Sequence, residues 1–348
     1  MGHRILVTGA DTFWGGRAVQ AFESDPDTEF VIGIGSHTPP VPFDRAEFVR
    51  VDQAYSILNR IVRATQVDTI VHTSLVVDST RVSPRALHDI NVIGTMNLLA
   101  AASAAGSSVS QLVVKSSSLV YGSSERDPAV FAEDTSRSAP PRTRIERSLV
   151  EAESLVRDFD EYNPGTVVTL LRFANVLGND LVTPISKNLS RRFFPTIFGF
   201  DPLVQFVHER DVVNALEHVT RNQLGGVYNV AGAGQLPWSE VASICGARPL
   251  PLSPWRARLG IAPLVRTGYF HFPPELEALL RYGRGIDSRR LIATGFRYQF
   301  TSAGAVKSFA DGLRLRRWAG RDREQYRYEH DVEQFFRHSP AVVSPRDT

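Results

Sequence analysis

The sequence predicts a doubly wound α/β fold, a mostly parallel sheet with helices on both faces, carrying a smaller C-terminal α+β lobe. Apolar runs alternate with helical stretches through the first half of the chain. The runs are nearly continuous rather than alternating with polar residues, as expected for strands covered on both faces. At 348 residues with 43% hydrophobic residues, the chain is long enough to bury so large a core.

In chain order, RILVTG (4–9), FVIGIG (30–35), DTIVHTS (68–74), SQLVVKSS (110–117) and TVVTLLR (166–172) read as buried strands. GGRAVQAFES (15–24), SILNRIVRAT (56–65) and INVIGTMNLLAAASAA (90–105) read as the helices between them. After Gly178 the texture shifts to Pro, Arg and aromatics. QFVHERDVVNALEHV (205–219) and VYNVAG (227–232) then supply a helix and a strand that return to the sheet. The expected division is therefore discontinuous: 1–178 with 204–232 as the sheet domain, and 179–203 with 233–310 as the lobe. Residues 311–348 form an arginine-rich tail, either a solvated helix or a docking segment for an acidic partner or anionic membrane surface.

Composition excludes several classes. A net charge of +2 gives no indication of a nucleic-acid partner. Lys115, Lys187 and Lys307 are the only lysines, and Cys245 is the sole cysteine, so neither an internal disulfide nor a thiolate cluster is expected. The histidines lack ligand spacing, so no metal site is expected. No apolar run approaches the ~20 residues of a membrane span. A strand pattern beginning at residue 5 leaves no room for a signal peptide, which suggests a reducing, cytoplasmic setting.

ILVTGADTFWGG (5–16) has the form of a strand–turn–helix that cradles a pyrophosphate. Gly9 permits the tight turn, and Gly15 or Gly16 the close packing of helix on strand. Thr12 stands where a glycine lets backbone approach phosphate; its hydroxyl could hinder binding or donate to the phosphate. Phe13 and Trp14 follow as further candidate cofactor contacts at the start of the helix. At the end of the second strand, an acid that would bind an adenine ribose is missing. Gly35 is followed by Ser36 and His37, which leave room for a 2′-phosphate, so NAD and NADP both remain open. Asp52 is a further candidate adenine contact.

VTGADTFWG, DTIVHTSLVVD, NVIGTMNLLAAA, SSSLVYG, LRFANVLG, QFVHERDVV, VYNVAG and IDSRRLIATGF, in that order, resemble the extended short-chain dehydrogenase/reductases of nucleotide-sugar epimerase/dehydratase type. The resemblance implies a nicotinamide-binding Rossmann domain, a substrate lobe, and a homodimer formed through helices near 85–105 and 143–160. It also implies a catalytic serine, here Ser117, and a Tyr-x3-Lys-x3-Glu helix. Anchored on Glu151, that helix places Thr143 at the tyrosine and Arg147 at the lysine. A threonine hydroxyl cannot do a phenol's acid/base work near neutral pH. Arg147 could still bind cofactor ribose, as a planar fork. Tyr121, four residues after Ser117, is the candidate displaced base. Asn175, Arg191, Arg192 and His208 are the candidate contacts of a nucleotide diphosphate. The expectation is an NAD(P)-binding protein with altered or absent catalysis, acting as sensor, partner or assembly subunit. The alternative is an active epimerase, dehydratase or reductase with a displaced base.

Overall fold

A computed structural model describes residues 2–51 and 54–318. Seven parallel strands form the central sheet: β1 (His3–Thr8), β2 (Thr28–Gly35), β3 (Glu47–Arg50), β4 (Thr69–His72), β5 (Gln111–Ser117), β6 (Val167–Phe173) and β7 (Gly226–Val230). Their order is β7-β6-β5-β4-β1-β2-β3, so the chain reverses direction across the sheet between β1 and β4. Open α/β sheets bind ligands above the carboxyl ends of the strands at this point. β3 was not anticipated. Its four residues, EFVR, carry too little apolar pattern to stand out; the strand exists because it pairs with the end of β2.

The strands owe their burial to Ile, Val and Leu on both faces. Helices α1 (Phe13–Ser24) and α5 (Glu209–Arg221) pack together. So do α2 (Tyr55–Thr65), α3 (Thr95–Ala102) and α4 (Arg144–Tyr162). Ahead of α3 the chain is helical from Pro84, with a π-turn over Asp89–Gly94. Buried Asn91 sits in that turn, and its side-chain amide exchanges hydrogen bonds with the backbone of Val76 at 2.7 and 2.9 Å. This clamps the loop after β4, a common reason for a helix to widen at a functional site.

A second apolar cluster gathers Phe194, Phe206, Trp238, Phe270 and Leu279 beside the sheet domain. Helix α6 (Ser302–Trp318) closes it with Val306, Phe309, Ala310 and Leu313. The expected tail boundary at 311 therefore falls inside a packed helix. The apolar spacing continues to Leu313 and outweighs the arginines that follow. The remainder of the tail lies outside the described residues. No helix among the described residues is long and apolar enough to cross a membrane.

Candidate functional site

A cleft of ≈ 670 Å³ opens above the carboxyl ends of β1, β4, β5 and β6, within the usual size range for small-molecule sites. Its floor is the turn between β1 and α1. Gly9 has φ +69°, and a Cβ there would lie 2.8 Å from the Ser74 backbone. At Gly15 a Cβ would meet the Gly9 carbonyl at 2.0 Å. Neither position admits another residue without displacing backbone. Thr12 is the N-cap of α1. Its Oγ1 accepts from the Gly15 N–H at 3.2 Å and donates to the Gly9 carbonyl at 2.7 Å. The hydroxyl is thus occupied in holding the turn, which argues against its donating to a phosphate.

At the end of β2 an acid is present after all, supplied from the turn. The Asp11 carboxylate accepts from the N–H groups of Ser36 and His37 at 2.9 and 3.0 Å, and lies 3.3 Å from His37 Nδ1. It rests over Gly35, where an added Cβ would sit 2.4 Å from Asp11 Oδ1. The missing side chain at residue 35 is what admits it. Asp11, Ser36 and His37 line this side of the cleft together with Thr12, Phe13 and Trp14.

The other side is built from the ends of β4, β5 and β6. Ser117 and Asn175 line it, with Asn175 held by donation to the Gln205 carbonyl at 3.0 Å. Between them and the turn lies Lys115, 2% exposed, its amine 5.1 Å from the Trp14 ring centroid and 5.5 Å from that of Phe173. Burial pulls its pKa from the ordinary lysine range down to about 7. Arg284 lines the far wall and is likewise buried, donating to the Gly122 carbonyl at 3.0 Å. Its Nε has no hydrogen-bond partner. Neither residue stood out in the sequence, one being a strand residue and the other one arginine among many.

Helix α4 borders the sheet with Ile145, Leu149 and Glu153, all buried. Glu153 binds Arg172 Nη2 at 2.7 Å and accepts from Ser116 Oγ at 2.6 Å. Arg172 Nη1 donates to the Tyr121 hydroxyl at 2.8 Å, and that hydroxyl donates to Asn229 Oδ1 at 2.8 Å. Burial raises the pKa of Tyr121, and Arg172 offsets the rise in part. Thr143 is the N-cap of α4, with Oγ1 accepting from the Glu146 N–H at 3.2 Å. It lines an adjoining cavity of ≈ 460 Å³, which also holds Tyr121 and meets the main cleft at Glu275. Arg147 is exposed on the outer face beside His88 and Glu151.

A family model described as "NAD dependent epimerase/dehydratase family" matches residues 5–231. The chain belongs to that family. An uncharacterised protein of Mycobacterium tuberculosis is 33% identical over 337 residues, covering 91% of this chain and 88% of its own. Among solved structures, MoeE5 in complex with UDP-glucose and NAD is 22% identical with TM-score 0.69, over 89% of this chain and 98% of that one. UDP-glucuronic acid 4-epimerase from Bacillus cereus, in complex with NAD, is 17% identical with TM-score 0.66, over 90% and 96%. At these identities the two structures show a shared fold.

For this member of the epimerase/dehydratase family, the geometry bears on where a Tyr-x3-Lys-x3-Glu pattern would fall. Glu151 is half exposed and lies 4.0 Å from His88. Glu153 is the glutamate that faces the sheet, and counting back from it gives Ile145 and Leu149. In neither register does α4 carry a tyrosine and a lysine at those positions. The cleft gathers Thr12, Phe13, Trp14, Ser36, His37, Ser117 and Asn175 from the expected residues. It does not gather Tyr121, Thr143, Arg147, Arg191, Arg192 or His208. Arg191 stacks on Tyr269 at 5.1 Å, while Arg192 is exposed over Phe193 at 5.6 Å. His208 is buried, caps α5 and stacks on Phe300. Burial, then Arg210, lowers its pKa to about 4, so it is a neutral packing residue. Asp52 lies outside the described residues.

Proposed function

We propose that this chain binds NAD and a nucleotide-sugar ligand in the cleft while lacking the family's tyrosine–lysine chemistry. The observation that carries the reading is the inward row of α4, where Ile145 and Leu149 stand four residues apart in front of Glu153. An aliphatic row offers neither an acid/base nor a ribose-binding cation. The cofactor half of the reading rests on the turn. Gly9 and Gly15 clear the approach to the start of α1, whose first N–H groups suit a pyrophosphate. Asp11 supplies the ribose-binding acid that favours NAD over NADP, since a 2′-phosphate would meet a carboxylate. When bound, NAD would supply a hydride acceptor at the cleft.

Nucleotide-sugar binding follows from the likeness to proteins such as MoeE5 with UDP-glucose. Here Asn175 and Arg284 are the polar groups placed for it. Tyr121 does not serve as the displaced base, because its hydroxyl is taken up by Arg172 and Asn229. A second copy of the chain pairs through the outer face of residues 84–102 and α4, where His88 and Arg147 are exposed. In this reading the protein works as a ligand-responsive sensor, partner or assembly subunit, or by altered chemistry in the same cleft.

Calorimetric titration with NAD, NADH, NADP and NADPH, followed by assay on UDP- and dTDP-sugars, tests it. The expected result is binding of NAD and NADH, weaker binding of the phosphorylated pair, and turnover lower by roughly 10²–10⁴ than an intact acid/base gives. No binding of any form at millimolar concentration removes the cofactor reading. Turnover at the ordinary rate of an intact enzyme removes the claim about the dyad.

A further inference from the structure

Lys115 is the cation of the cleft that neither the fold nor the missing dyad explains. It and Ser117 lie two residues apart on β5 and so face the same side of the sheet, with Cα atoms ~6.6 Å apart. Ser116 faces the opposite side, toward Glu153. The pyrophosphate cradle at α1 separates two ends of the cleft. Asp11, Ser36 and His37 mark the ribose-binding end beside β2, so the nicotinamide end of a dinucleotide falls beyond the switch point, above β4, β5 and β6. Lys115 and Phe173 are at that end, with Trp14 of the cradle reaching the amine from the start of α1.

Among the described residues, no carboxylate lies within ion-pair distance of the amine. On α1, Arg17 pairs with Asp180 at 3.2 Å. On α5, the Glu209 carboxylate accepts from the N–H groups of residues 179–181, and Asp211 from those of Gln299 and Phe300. On β4, His72 bonds Thr8 and Thr95 on the other face of the sheet. Around the cleft, Asp78 binds Arg81, Glu275 binds Ser79, and Asp89 lies 4.0 Å from Arg85. Arg284 adds a second buried cation to the lining, with Nη1 donating to the Gly122 carbonyl and Nε left without a partner. Among the described residues, the Lys115 amine faces two aromatic rings, a weak compensation for a buried charge.

We propose that Lys115 selects the redox form of the cofactor: its ammonium opposes the positively charged oxidised ring, so NAD⁺ binds with loss of one proton from Lys115 to solvent, whereas uncharged reduced nicotinamide is accepted with the ammonium in place. The inference rests on the NAD-binding reading above and assigns its cleft a preference. Its balance is simple. One N–H bond of the ammonium breaks, the proton goes to buffer, and no bond to carbon forms or breaks. Burial has already brought the amine to a pKa of about 7, so this proton is readily lost near neutrality.

Titration of the full chain with NAD⁺ and with NADH from pH 6 to 8.5, in two buffers of different ionisation enthalpy, tests the assignment. NAD⁺ binding is expected to weaken about tenfold between pH 8.5 and pH 6 and to release close to one proton at the acid end, while NADH shows neither effect. Groups at the ribose-binding end, such as His37, act on both forms alike and cancel in the comparison. Lys115→Met should abolish the difference between the two forms, and Lys115→Arg should bind NAD⁺ weakly at every pH. Should either variant fail to fold, trace acetylation of the wild-type chain reads the amine directly. Only two other lysines, Lys187 and Lys307, compete, and Lys115 should label with a midpoint near 7. Binding of both forms with one common pH profile, or a Lys115 midpoint near ~10, overturns the role of Lys115 alone. Binding of neither form by the wild-type chain overturns the cofactor reading beneath it.

Discussion

Asp11 and Gly35 act as one device. The carboxylate reaches the end of β2 only because residue 35 has no side chain, and it is held there by two backbone N–H groups. Asp11→Asn should therefore weaken NAD binding by roughly tenfold, the scale of one hydrogen bond to a charged group, with little effect on the fold. Gly35→Ala should weaken it comparably by pushing the carboxylate aside. Isothermal titration decides both, and unchanged affinity in Asp11→Asn would remove the acid from the site. Thr12 makes a different contribution. Its loss as an N-cap in Thr12→Ala should cost about 1 kcal/mol in a denaturant melt. Thr12→Gly should cost only a few tenths and leave binding intact. The sequence announced Thr12 and Gly35, but neither the reach of Asp11 to the end of β2 nor that the threonine's hydroxyl is used internally.

On the scale of elements, α4 is decisive. Its amphipathic stripe of Ile145, Leu149, Ala152, Val156 and Phe159 was legible from spacing alone, and all five are buried. Which glutamate faces the sheet was not, because Glu151 and Glu153 flank the stripe and differ only in their tertiary neighbours. Arg172, from β6, settles it by pairing with Glu153. Burial works against the Arg172 charge, yet Glu153 outweighs that and holds the guanidinium above its usual pKa. Glu153→Ala leaves that cation buried and unpaired, and should cost about 3–5 kcal/mol in chemical denaturation. A loss under 1 kcal/mol would show the network to be relaxed. Thr143→Tyr with Arg147→Lys should restore no hydride exchange, since residue 147 points away from the cleft. Recovery of exchange in that double variant would reinstate the register anchored on Glu151.

Across the whole molecule, buried bases and buried acids both shape the pH dependence of stability. His72 is fully enclosed by Thr8, Ser74 and Thr95, and burial lowers its pKa to about 4. His208 is lowered to about 4 as well. Between pH 4 and 6.5 the unfolded chain binds protons at these two positions that the folded chain refuses, so their contribution to stability falls as pH drops. The carboxylates Glu209, Asp211, Glu217 and Glu275, raised by burial, act with the opposite sign. Lys115 acts by the same rule at higher pH. From about 7 up to its ordinary value of 10.5, the unfolded state holds the extra proton, and stability from this group rises with pH. Thermal melts from pH 7 to 9 should show this rise, and Lys115→Met should flatten it. A wild-type profile level from pH 7 to 9 would contradict the neutral amine.

The order of strands and helices apart from β3, the glycine turn and the lack of any lysine in α4 belong to the sequence itself. They depend on local periodicity, on the φ a turn demands, and on which residue types exist in one helix. The acid at the end of β2, the glutamate that faces the sheet, the occupied hydroxyl of Tyr121 and the unpaired amine of Lys115 were decided only by tertiary structure. Each depends on groups brought together from distant parts of the chain. Burial then fixes what those groups can do, because a charge removed from water keeps its proton or loses it according to the partners the fold provides.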